Sequence, residues 1–260
     1  MFDIFMAATN AIMPIILLIV LGYVLKRIHF LSADFLKTAN KLVFRVFLPV
    51  LLFYNVYNIS ELKAIRWDIV LYSVIIILVV FCLGLLTAVL FIRDPKQRGV
   101  ILQCTYRSNF AIIGITLAES LGGTEAVAIA AIISAFSIPV FNILAVISLS
   151  IFVGGDDKKI DIRDILLKIV KNPLIIGVVT GLAFLGTRAL IPTGADGVKY
   201  FTIQNNIPFL YAAIGNVSKI ASPLALIVLG GQFEFSAIKG MLSEIVIGTV
   251  WRIVLAPAIG

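Results

Sequence analysis

Val74-Ile75-Ile76-Ile77-Leu78-Val79-Val80-Phe81-Cys82-Leu83-Gly84-Leu85-Leu86 is the middle of an uncharged run that extends from Ile69 to Ile92. At about 1.5 Å per residue, a helix of that length crosses the roughly 30 Å of hydrocarbon in a bilayer. Lipid offers no partner for backbone N–H and C=O groups, so a run this long is read as a helix that satisfies its own backbone.

Seven further apolar segments flank it, at Ala8–Leu25, Leu42–Tyr57, Val100–Leu117, Ala126–Val153, Leu174–Leu190, Ile207–Phe233 and Met241–Gly260. The second and sixth of the eight reach spanning length only with their flanks. Composition agrees: 61% of the 260 residues are hydrophobic and only 13% charged, with a mean hydropathy of +1.10. Soluble domains are near half apolar and a quarter charged, and this chain has too few charges to coat a soluble exterior. The expected fold class is therefore all-α, a polytopic membrane protein.

The net charge of +7 does not point to nucleic acid, because Lys and Arg cluster in short loops where topology signals belong. The loops after segments one, three and five hold Lys26, Arg27, Lys37, Lys41, Arg93, Lys96, Arg98, Lys158, Lys159, Arg163, Lys168 and Lys171. The N-terminus and the loops after segments two, four and six hold only Lys63, Arg66, Arg188 and Lys199. Twelve against four places the odd-numbered loops in the cytoplasm and the N-terminus outside. The first ten residues carry Asp3 and no Lys or Arg, so they lack the n-region of a cleavable signal.

Catalytic and metal chemistry have little to build on. Cys82 and Cys104 lie inside apolar segments without Cys-x-x-Cys spacing and read as buried, inert thiols, and His29 sits in a loop. No Ser–His pair, paired intramembrane aspartates or His-Glu-x-x-His pattern is present, so neither an enzyme nor a cofactor or metal is expected.

The two halves repeat. Pro14 precedes Gly22 by eight residues, and Pro173 precedes Gly181 by eight. Arg45 stands four residues before Pro49, and Lys219 four before Pro223. Five segments precede the hydrophilic stretch Gly154–Lys171, an odd number, so segment six enters the membrane opposite to segment one. The repeat is inverted, a recurrent design of secondary transporters. The expected organisation is a five-helix repeat over 1–153, a solvated cytoplasmic linker over 154–171 and a second repeat over 172–260. The last run ends in Ala256-Pro257-Ala258-Ile259-Gly260 without a charged flank. The second repeat is therefore expected to be truncated after about three helices.

Segment four breaks the apolar pattern: Gln103-Cys104-Thr105-Tyr106-Arg107-Ser108-Asn109-Phe110-Ala111-Ile112-Ile113-Gly114-Ile115-Thr116. An Arg near the bilayer centre costs at least ~2.5–3.5 kcal/mol on insertion scales, so it faces a cavity or a partner. Discontinuous helices present unwound backbone and half-helix N-termini to anions. Asn109 offers a donor and an acceptor, and Gly114 permits a break or a close backbone approach. Interruption is expected between about Ser108 and Gly114. The competing reading pairs Arg107 with an interior carboxylate. Arg45 and Lys219 read as structural cations, and Pro49, Pro139 and Pro223 as kinks.

These residues resemble the auxin efflux carrier family of plant and bacterial transporters. The matching stretches are Pro14 to Phe53, Arg107-Ser108-Asn109 with Gly114, Lys171-Asn172-Pro173-Leu174, and Ser222-Pro223-Leu224-Ala225-Leu226 with Gly230. The resemblance implies ten helices in two inverted five-helix repeats. Helices one, two, six and seven form a scaffold, often dimeric, so that a homodimer is expected; three to five and eight to ten form a moving transport domain. Helices four and nine are broken and cross near the midplane. Family substrates are carboxylates such as auxin, malate and malonate. One residue departs: family members commonly have Pro shortly after the glycine of helix four, where this chain has Thr116.

The resulting expectation is an efflux-type secondary transporter of small organic anions, malate permease-like, working by alternating access in the cell membrane. Arg107, Ser108, Asn109, Gly114 and Thr116 bind the substrate, and Pro49 and Pro223 serve as scaffold hinges. The alternatives are a sodium-coupled organic anion symporter, for which intramembrane acids are few, and a multi-helix sensor or receptor.

Overall fold

A computed structural model of the chain describes residues 2–59, 66–108, 115–152, 162–193 and 199–260. Among them the only pairing of extended backbone is one isolated antiparallel bridge, Thr193 with Lys199. The helices are α1 (Phe2–Arg27), α2 (Ala33–Leu42), α3 (Leu48–Tyr57), α4 (Trp67–Phe91), α5 (Pro95–Tyr106), α6 (Ile115–Ile151) and α7 (Ile162–Val170). They continue as α8 (Pro173–Leu190), α9 (Ile203–Asn206), α10 (Pro208–Gln232), α11 (Leu242–Val250) and α12 (Ala256–Ile259). Among the described residues six stretches are long and apolar enough to cross a membrane: Ala33–Tyr57, Trp67–Phe91, Ile132–Ile151, Pro173–Leu190, Pro208–Gln232 and Leu242–Ile259. Their outer faces are apolar, as lipid requires; on α4 Leu86, Leu90 and Phe91 are more than half exposed. The protein is an all-α polytopic membrane protein.

Two spans are continuous only through a wide π turn. Val43–Phe47 joins α2 to α3, and Trp251–Leu255 joins α11 to α12. In each, a proline follows by two residues, Pro49 or Pro257. Its ring would collide with the carbonyl four residues back, and the widened turn relieves that clash. Pro14, Pro139 and Pro223 lie inside helices without such a turn.

Contacts sort the chain into two compact units. The first comprises residues 1–65, 115–128 and 172–233, and the second 66–114, 129–171 and 234–260. The first thus contains segments one, two, six and seven of the sequence reading together with residues 115–128, and the second contains segment three, most of four and five, and eight.

Within the first unit, α1 packs on α10 and α3 packs on α8, and glycines bring each pair to backbone contact. A Cβ on Gly22 would lie 2.0 Å from the Ile227 carbonyl oxygen, and one on Gly230 would lie 1.9 Å from that of Ile19. On the other seam a Cβ on Gly177 would lie 2.4 Å from the Pro49 carbonyl oxygen, and one on Gly181 would meet Val56 Cβ at 2.9 Å and the Phe53 carbonyl at 3.1 Å. One contact of each seam falls at the same spacing from its proline. Gly22 meets the fourth residue after Pro223, and Gly181 meets the fourth residue after Pro49.

Two expectations need correction. The boundary expected between segments four and five, around Leu117–Ala126, does not exist: Ile115–Ile151 is one helix of 37 residues. Gly122 and Gly123 are carried inside it because each costs only about 1 kcal/mol, and no proline stands nearby to end the helix. Within the 154–171 segment, Ile162, Ile165, Leu166, Ile169 and Val170 recur at helical spacing and give amphipathic α7. Cys82 and Cys104 are free thiols on exposed surface rather than buried, since much of an apolar membrane helix faces lipid instead of protein. His29 adopts a left-handed conformation (φ 59°) at the end of α1. There Phe30 N–H closes on the Leu25 carbonyl at 3.0 Å, so His29 serves as a helix stop.

Candidate functional site

The second unit holds the polar interruption. Helix α5 begins at Pro95, directly after α4, and two small residues lock it in place. A Cβ on Gly84 of α4 would lie 2.1 Å from Thr105 Oγ1, and one on Gly99 would lie 2.6 Å from the Ser148 carbonyl of α6. Thr105 is fully buried and donates back to the Leu102 carbonyl at 2.7 Å. Tyr106, also buried, stacks edge-on against Phe81 with ring centres 5.4 Å apart, and its hydroxyl meets Ser148 Oγ at 3.1 Å. These contacts fix the last turn of α5 to both neighbours.

Immediately after this anchored turn the helix ends. Tyr106 is its last residue, and the Arg107 N–H closes on the Gln103 carbonyl at 3.0 Å. Arg107 and Ser108 are not helical, and the chain is helical again from Ile115. Counted from Pro95, Arg107 stands about 18 Å along the helix direction, a rise shorter than the roughly 30 Å of a membrane crossing. A cation at a helix C-terminus is also favoured by the helix dipole.

Arg107 is exposed, and its guanidinium reaches two neutral amides. Nη1 donates to Gln103 Oε1 at 3.2 Å and Nη2 to Asn142 Oδ1 at 3.5 Å, the outer limit of a hydrogen bond. The competing reading calls for an interior carboxylate, and among the described residues none lies within ion-pairing distance of Arg107. Amide partners orient the guanidinium and leave its charge unneutralised.

Of the other expected site residues, Ser108 is half-buried beside Arg107. Asn109 and Gly114 lie outside the described residues. Thr116 stands in the first turn of α6, where backbone N–H groups lack helical acceptors. Pro49 lies beneath Gly177 on the α3–α8 seam, and Pro223 stands within α10; both belong to the first unit. Arg45 and Lys219 are exposed.

Asn142 was not singled out from the sequence. It is 5% exposed, on a helix whose buried face also carries Ser134, Ser137 and Ser148. The available signal was an amide in the apolar run Ile138-Pro139-Val140-Phe141-Asn142-Ile143-Leu144. A buried amide in such a run requires a partner.

Comparison with known proteins agrees with this architecture. The profile of the family described as membrane transport protein matches residues 7–260. An uncharacterized transporter of Methanothermobacter thermautotrophicus is 25% identical over 264 aligned residues, spanning 98% of this chain and 77% of the relative. With nearly its whole length matched, the chain belongs to the membrane transport protein family, the one its sequence resembles through the auxin efflux carriers.

Proposed function

We propose that the protein is a secondary active transporter of small organic anions, auxin-like or dicarboxylate, that works by alternating access. The observation that carries this reading is Arg107. It is a cation at mid-membrane depth, held at the end of a broken helix by two neutral amides. A permanent positive charge in that position is costly, and a carboxylate arriving from water neutralises it with directional hydrogen bonds.

Residues Arg107 to Thr116 form the substrate-binding stretch, with Arg107 supplying charge and Asn109 a directional donor and acceptor. The first unit is the scaffold, which carries Pro49 and Pro223 and assembles as a homodimer. The second unit is the part that moves. The protein resides in the cell membrane with its N-terminus outside and the 154–171 segment in the cytoplasm.

Uptake of a panel of radiolabelled mono- and dicarboxylates into proteoliposomes tests the reading. Flux of at least one carboxylate is expected, abolished by Asn109→Ala and by Arg107→Gln with the unfolding temperature retained. Unimpaired flux in both variants, or transport confined to neutral solutes and cations, would overturn it.

A further inference from the structure

We infer that Arg252 is a second cation of the same site and that the site therefore selects anions carrying two carboxylates. This rests on the organic-anion reading of Arg107 and adds a residue from a different helix.

Within the second unit, α5 and the α11–α12 span run side by side in the same direction. The span meets α5 near its lower part: a Cβ on Gly248 would lie 3.3 Å from Cys104 Cβ. Its far end lies against the beginning of α4. Tyr72 Oη donates to the Gly260 carbonyl at 3.1 Å, and a Cβ on Gly260 would lie 3.6 Å from Ile76. Helix α4 runs antiparallel to α5 through the short turn at 92–94, so its beginning is level with the end of α5 and beyond.

The Gly248–Cys104 contact thus sets a common level for two parallel helices. Arg107 follows Cys104 by three residues, about 4.5 Å further along, and Arg252 follows Gly248 by four, about 6 Å further along. The two arginines stand at nearly the same depth. Arg252 lies in the π turn that begins at Trp251, and its reach to the Cys104 thiol of α5 puts it on the side of the span that meets α5. It is half-buried and lies within electrostatic reach of the Cys104 thiol. Among the described residues no carboxylate pairs with it either.

Two unneutralised guanidinium groups at one level of a membrane repel each other and each carries a desolvation cost. A monocarboxylate neutralises one of them. A dianion neutralises both and leaves the occupied site without net charge, the condition under which a loaded site is least costly to move through the membrane. Arg252 is then the residue that distinguishes a diacid from a monoacid of equal size.

Succinate and butyrate, both four-carbon acids, are the probes, with binding measured on purified protein in nanodiscs. Wild-type protein is expected to bind succinate more tightly. Arg252→Gln should lower the succinate-to-butyrate affinity ratio on the order of tenfold or more, while Arg252→Lys retains most of it. Arg107→Gln should weaken both ligands. A ratio unchanged in Arg252→Gln, or wild-type preference for butyrate, overturns the role of Arg252 and leaves the organic-anion reading standing. Failure of wild-type protein to bind any carboxylate of a wider panel removes that reading and this one together.

A second measurement keeps Arg252 intact. In a Cys82→Ser background, saturating succinate should protect Cys104 from a methanethiosulfonate reagent, and butyrate should protect it less. Equal protection by the two acids, or none, would refute the second cation.

Discussion

Replacing Asn142 by Leu separates a positioning role from a structural one, because the two predict opposite changes. The side chain is 5% exposed and gives Arg107 one acceptor at 3.5 Å. A hydrogen bond to a charged group contributes about 1.5–3 kcal/mol at good geometry. At this separation about 1–1.5 kcal/mol is the reasonable share, which corresponds to roughly fivefold to tenfold in affinity. If Asn142 orients Arg107 toward the substrate, Asn142→Leu should raise the KM for carboxylate uptake by that factor. Stability should move the other way. An amide buried with one long hydrogen bond is exchanged for an apolar side chain of similar volume, and the unfolding temperature should hold or rise. Asn142→Asp sharpens the test, since it places a carboxylate against Arg107 and supplies internally the charge the substrate would bring. It should impair uptake more than Leu does. Proteoliposome kinetics and thermal unfolding on the same preparations give both readouts. Unchanged KM in Asn142→Leu, or normal uptake in Asn142→Asp, would refute the reasoning.

Two further predictions follow from the packing and the charge pattern. Gly22→Ala forces a methyl from 2.0 Å to the 3.4 Å of ordinary contact with the Ile227 carbonyl. Parting α1 from α10 should destabilise by about 1–3 kcal/mol. Gly186→Ala, with nothing within 4 Å of the new Cβ, should be neutral or stabilising by about 0.5–1 kcal/mol in detergent unfolding; equal losses at both positions would contradict the seam. A cysteine at Lys158 in a Cys82→Ser/Cys104→Ser background should resist an impermeant maleimide on intact cells and react after permeabilisation. Labelling from outside would invert the topology.

The membrane helices were legible because hydropathy and the need to satisfy backbone in lipid act locally, within one segment. The glycines singled out with Pro14 and Pro173 were legible for a related reason: Gly22 and Gly181 stand where one helix closely approaches another, and such positions tolerate few residue types. What the sequence concealed depends on partners far along the chain. Asn142 and Arg107 are 35 residues apart, and the amide reads as incidental until the guanidinium is seen beside it. Arg252 lies inside a run that counts as apolar, and its neighbour Cys104 is on another helix. The continuity of α6 was missed because apolar runs ending at Leu117 and resuming at Ala126 read as two segments, while the helix formers between them carry the backbone through.

The intramembrane cations differ in what the protein already gives them, and that difference decides which can serve a ligand. Arg188, near the end of α8, donates Nη2 to the Ile59 carbonyl and lies 5.1 Å from the centre of the Tyr57 ring. The Tyr57 hydroxyl in turn accepts from Ile203 N–H at 2.9 Å. Nearby, Tyr211 donates to Asn58 Oδ1 at 2.8 Å, and Asn58 Nδ2 donates to the Tyr54 carbonyl at 2.8 Å. Each of these groups is held by another part of the first unit, so the cluster ties α3, α8 and α10 together. A carboxylate entering there would have to displace a carbonyl and an aromatic face. Arg107 has two amide contacts, one at the limit of hydrogen bonding, and Arg252 has only a thiol within electrostatic reach. Positive charge at mid-membrane depth that the protein itself leaves unneutralised is what a carboxylate substrate can complete. In the described chain Arg107 on α5 and Arg252 on the α11–α12 span meet that condition within the second unit, as the exposed Arg45 and Lys219 do in spans of the first, and Arg188 does not meet it.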